Sequence, residues 1–183
     1  LAGVGHAEHQ VRGGLRDDGL SSADDAQRVQ KRFGAGASSL HALVRLGGAG
    51  LQREGRALDT EALTEWLAQR VSLPYLRIDP LKVDVGRVAE VMSLQYAELR
   101  KVLPITVSAD QITVATSEPF DTGWVPEIES HTRRRVKLVL ANPEDIARFT
   151  TEFFSLARSV RQAQKTGETS ATASFEQLVE LGK

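Results

Sequence analysis

Apolar positions change their spacing partway along this 183-residue chain, and that change divides it. Up to about residue 72 they recur every three or four residues, the helical period. Ala26, Val29 and Phe33 share one face behind Ser21 or Ser22 as cap, with Asp24 and Asp25 in the first turn and Gly34 and Gly36 as the stop. Ser38 or Ser39 starts a second short helix with Leu40, Leu43 and Val44 inward, ended by Gly47-Gly48. A polar loop, 49–57, leads to a third helix. Asp59 is its cap, Leu58 and Leu63 form a staple across its first turn, and Leu63, Trp66, Leu67 and Val71 form its inner face. Residues 1–19 show no sustained period and read as a poorly ordered lead-in.

From Leu73 the pattern shortens. Tyr75-Leu76-Arg77-Ile78 reads as a short strand, and Asp84 caps a helix through Val85, Val88, Val91 and Met92 that breaks and resumes over 94–100. Ile105-Thr106-Val107 and Ile112-Thr113-Val114 are β-branched runs separated by four turn residues, a hairpin. A helix over about 122–132 tolerates Pro126 only in its first turn. Val136–Leu140 is a further strand. Asn142-Pro143-Glu144-Asp145 then opens a helix with Ile146, Phe149, Phe153, Leu156 and Val160 on one face. Residues 164–174 lack apolar anchors and read as a flexible linker. Phe175, Leu178, Val179 and Leu181 begin an amphipathic segment with nothing to pack on. The expected fold is α+β: a three-helix subdomain over 20–72, then a small α/β subdomain over 73–163 with three to four short strands.

Composition narrows the function. Charged residues make up 26% of the chain and the net charge is −1, too little positive charge for general nucleic-acid binding. No cysteine is present, which excludes disulfides and thiolate metal sites. No apolar run is long enough for a membrane-spanning helix, so direct membrane insertion is not expected. No Gly-x-x-x-x-Gly-Lys-Ser/Thr loop occurs, and neither glycine cluster, 34–36 or 47–50, follows a strand as a dinucleotide turn would. His6 and His9 lack a third metal ligand at suitable spacing, and His41 reads as a boundary residue. Arg133-Arg134-Arg135 is a basic turn open to an acidic partner or acidic lipid, although a solvated turn explains it more simply. Trp66 reads as core and Trp124 as partly exposed.

The order of segments resembles the N-terminal domain of type II secretion and type IV pilus assembly ATPases. The resemblance rests on Leu58-Asp59-Thr60-Glu61-Ala62-Leu63, Leu73–Pro80, Lys101-Val102-Leu103-Pro104-Ile105, Val114–Pro119 and Leu140–Ile146, and covers roughly 20–160. Residues 174–181 resemble the entry to that family's motor, so 175–183 are expected to open a motor region lying downstream. The resemblance implies a non-catalytic docking and regulatory region of a hexameric cytoplasmic ATPase. Its ATP, Mg and phosphate loop would lie past residue 183, and it would sit peripheral to the inner membrane through the cytoplasmic domain of an assembly protein. Val29, Phe33, Leu40 and Leu43 are the candidate docking residues, because three short helices offer more apolar area there than they can hide. An alternative is a cyclic di-GMP sensor, which some members are. Arg45-Leu46-Gly47 opens like their motif, but Ala49-Gly50 replace larger apolar residues, the span to Leu63 and Leu67 is two residues longer, and Arg70 stands where glutamine is expected.

Overall fold

The computed structural model describes the backbone of residues 2–33 and 41–181, and the side chains of 9–25, 27, 28, 31 and 41–167. The chain begins with a helix, α1 (Ala2–Asp17), where the sequence led us to expect a lead-in without regular structure. Val11 and Leu15, one turn apart, are buried in the helical unit, and that packing outweighs the low helix propensity of Gly13 and Gly14. The helix ends by the rules of a Schellman motif. Gly19 is left-handed at φ +69°, Leu20 N–H donates to Leu15 O, and Gly19 N–H donates to Arg16 O. Leu15 and Leu20 are both buried, the apolar contact that accompanies this motif.

Helix α2 (Ala23–Phe33) starts in a capping box: Ser22 Oγ accepts from Asp25 N–H while Asp25 Oδ2 accepts from Ser22 N–H. Helix α3 (Ala42–Gly47) is capped by His41; Ser38, Ser39, Gly34 and Gly36 lie outside the described residues. The expected polar loop is a small hairpin, β1 (Gln52–Arg53) and β2 (Arg56–Ala57). Glu54 and Gly55 both have positive φ, the two-residue turn whose twist suits a hairpin. Helix α4 (Thr60–Arg70) begins at Asp59, whose Oδ1 accepts from Ala62 N–H. Leu43, Leu46, Leu51, Leu63 and Leu67 close the core of this helical unit.

Tyr75–Ile78 is not a strand; it contributes one parallel bridge, Tyr75 to Leu140, flanked by Leu76 N–H to Leu140 O and Leu140 N–H to Pro74 O. A 3-10 turn (Pro80–Lys82) leads to α5 (Val85–Val91) and α6 (Leu94–Arg100), separated where Met92 turns extended and Ser93 caps the second helix. The sheet comprises β3 (Val102–Val107), β4 (Gln111–Thr116) and β5 (Arg135–Leu140), in that order. Strands β3 and β4 form the expected hairpin; β5 lies parallel to β4, reached through α7 (Val125–Thr132). Both sheet edges are partly occupied. Asp84 N–H and the Arg87 guanidinium donate to the β3 carbonyls of Ile105 and Val107, and Glu129 accepts from Val136 N–H on β5.

Helix α8 (Pro143–Leu181) runs without a break through the stretch expected to be a flexible linker. Its first turns supply Ile146, Phe149, Phe153 and Ala157 to the core, with Phe149 and Phe153 stacked at 5.2 Å. Residues 158–167 are all exposed, so polarity there did not break the helix; its inner turns are anchored by packing. Trp124, expected to be partly exposed, is buried against this core, its indole N–H donating to Asp121 O. Trp66 is the reverse case: half-buried, it donates its indole N–H to Asp18 Oδ2 at 2.8 Å. Leu140 ends β5 yet is fully buried in the core of the helical unit, so the last residue of the sheet packs into the other unit.

Candidate functional site

The two units meet along a seam built from three short elements. His41 precedes α3, and its Nδ1 accepts from Leu43 N–H at 3.1 Å. The ring hydrogen therefore sits on Nε2, which lies 2.9 Å from Ser117 O and 2.9 Å from Glu118 Oε1 just past β4. Opposite, Asn142 caps α8 by accepting Glu144 N–H on Oδ1, while its Nδ2 donates to Glu61 Oε2 on α4 at 2.8 Å. One histidine and one asparagine thus tie the units together, each also serving as a helix cap.

A cavity of about 440 Å³ opens beside this seam, between α3, α6 and the start of α8. Val44, Ala97, Pro143 and Ile146 give it an apolar wall, while Glu98, Glu144 and Lys101 stand exposed at it. Ser117 also lines it, and its hydroxyl is buried without a hydrogen-bond partner. His41 bonds to the carbonyl of Ser117 and not to its hydroxyl, so the two are not a nucleophile with its base. Among the described residues no group of three or more histidines and carboxylates is placed to hold a metal ion. None of the described helices is long and apolar enough to cross a membrane.

The candidate docking residues fare unequally. Leu43 is fully buried in the helical core, so it offers no docking surface; the side chains of Val29 and Phe33, and all of Leu40, lie outside the described residues. The four residues of the alternative reading are not gathered into one site. Arg45 and Leu46 are buried in the helical unit. Gly47 packs against Thr60 at the start of α4, while Arg70 sits in its last turn, about 15 Å along the axis. The Arg70 guanidinium lies against Gly14 and pairs with Asp18 at 3.0 Å and Asp17 at 3.5 Å, tying α4 to the end of α1. The Trp66 indole, the leading cause, together with Arg70 holds the Asp18 carboxyl below its ordinary range. The seam residues His41, Ser117 and Asn142 escaped the sequence reading as a group. Only the asparagine carried a signal, its capping position.

Comparison with known proteins fits this architecture. Residues 71–160 match the MshEN domain, so the α/β unit with its leading segment is of that class. The chain is 33% identical over 129 residues to the type IV pilus assembly ATPase TfpB of Acinetobacter baylyi; the match takes in 69% of this chain and 22% of that protein. The fold also matches a structure of MshE with cdg (TM-score 0.53, 20% identity, 76% of this chain and 94% of that one). It likewise matches the N-terminal domain of XpsE (TM-score 0.52, 17% identity, 79% and 94%). The chain belongs to the N-terminal domains of type II secretion and type IV pilus assembly ATPases.

Proposed function

We propose that this chain is the docking and regulatory region of its ATPase, coupling a motor to the cytoplasmic domain of an inner-membrane secretion or pilus assembly protein. The observation that carries the reading is the match to TfpB, which takes in 22% of that protein while these 183 residues contain no phosphate-binding loop. Nucleotide chemistry, with ATP and Mg, then belongs to the remainder of the hexameric parent, and the region itself works by contact at the cytoplasmic face of the membrane. The seam supports such a role. Polar bridges from His41 and Asn142 link the units there, contacts that a bound partner could remake to bias their relative position.

The test is direct. The purified chain is titrated against cytoplasmic domains of the assembly proteins encoded alongside its gene, with binding followed by calorimetry. Saturable binding to one of them is expected; no binding to any refutes docking. The same instrument with cyclic di-GMP addresses the alternative, for which low-micromolar binding abolished by Arg45→Ala is the required result. The engagement of Arg70 with Asp17 and Asp18 speaks against that alternative.

A further inference from the structure

We propose that the exposed continuation of α8 docks into the seam cavity of a second copy of this chain, a head-to-tail contact between copies. This goes beyond the docking reading and does not depend on it. Helix α8 leaves the core at Ala157, and Leu156 and Val160, one turn apart, are 51% and 44% exposed. From Phe153 to Gly167 the sequence holds Arg158, Arg161 and Lys165 and no acidic residue. It is a basic helix with an unpaired apolar edge.

The cavity has the opposite character. Its wall is apolar, Glu98 and Glu144 stand at it with Glu118 close by, and among the described residues His41, bonded to Ser117 and Glu118, and Lys101 are the basic side chains lining it. A helix bringing two aliphatic side chains and flanking cations would bury the apolar edge against the wall and set its charge among carboxylates. The buried Ser117 hydroxyl, which also lines the cavity, has no hydrogen-bond partner among the described residues of its own chain.

The helix cannot serve its own cavity. Ala147, which lines it, and Val160 belong to the same unbroken helix, and Val160 lies about 20 Å further along the axis. The complementary surfaces therefore sit at different places on one body and meet only between chains. Such a contact is heterologous: it propagates from copy to copy and closes into a ring when the rotation allows.

Sedimentation of the 183-residue chain tests this. The weight-average mass should rise with concentration at about 0.05 M salt and fall back to that of the monomer at about 0.5 M, where screening shortens the reach of charge. Arg158→Glu with Arg161→Glu, and separately Glu98→Lys with Glu144→Gln, should each weaken self-association at least about tenfold. Mixing the two variants in equal amounts should restore it, because each altered surface meets its complement on the other chain. All four positions are exposed, and circular dichroism confirms the fold of each variant. Should Glu144→Gln disturb the start of α8, Glu98→Lys alone takes its place. A parent chain monomeric throughout, a variant that associates like the parent, or a mixture that stays monomeric would each overturn the proposal.

Discussion

Replacing Gly47 by alanine tests how the helical unit is packed. A Cβ there would stand 2.5 Å from the backbone nitrogen of Thr60, 2.6 Å from its Oγ1 and 2.9 Å from its Cα. The shortest approach falls roughly 0.9 Å inside ordinary contact, and a well-packed interface resists such a shift. The neighbour is backbone, and it is held: Thr60 opens α4, fixed by the Asp59 cap and by Thr64 Oγ1 donating to Thr60 O at 2.7 Å. Overpacking of this kind costs about 1–3 kcal/mol, while exchanging glycine for alanine in a helix returns at most about 1 kcal/mol. A net loss of about 1–2 kcal/mol lowers the urea midpoint by roughly 0.5–1 M for a slope of about 2 kcal/mol/M. Gly86 supplies the control. It lies inside α5 with nothing within 4 Å of its would-be Cβ, so Gly86→Ala should raise the midpoint. If Gly47→Ala matches or exceeds the parent while Gly86→Ala behaves as expected, the close approach of α3 to α4 is wrong. The result also bears on the Arg45-Leu46-Gly47 run, since it gives this glycine a packing duty that needs no ligand.

Trp124→Ala empties a fully enclosed site in the α/β core and should cost about 3–5 kcal/mol, read as a lower midpoint in the same titration. Asn142→Ala removes the cap of α8 and strands Glu61 Oε2, a loss of about 2 kcal/mol; Glu61→Gln, which can still accept the bond, should lose less. The Asp18 carboxyl should titrate below its ordinary range by carbon-13 NMR, and Trp66→Phe should move it back up. Because the folded-state value is the lower one, the stabilising contribution of Asp18 is complete above the unfolded-state value. It is lost as the pH falls through the folded-state value. An Asp18 that titrates identically in both proteins would show that the indole bond is not formed.

Elements with dense apolar periodicity and standard caps were legible from the residues alone. Asp59 before α4, Asn142-Pro143 before α8 and the β3–β4 hairpin each combine a local start signal with a face that can only be inward. The miss at α1 had a readable cue, since Asp17-Asp18-Gly19-Leu20 is a helix stop, but its few apolar residues are too sparse to show a period. Trp124 and Trp66 exchanged roles because neither depth of burial nor a bond to Asp18, which lies 48 positions from Trp66 in the chain, leaves a trace in local spacing.

The amino-acid order by itself determined the family, the α+β class and most element boundaries, because capping, turn chemistry and period are interactions between near neighbours. Tertiary structure alone decided which residues meet at the seam. His41 reaches Ser117 and Glu118, and Asn142 reaches Glu61, across 76 to 81 positions of chain, and Leu140 of β5 is buried in the core of the helical unit. Such pairings depend on how whole elements pack, and the chain encodes that only through the sum of all its contacts.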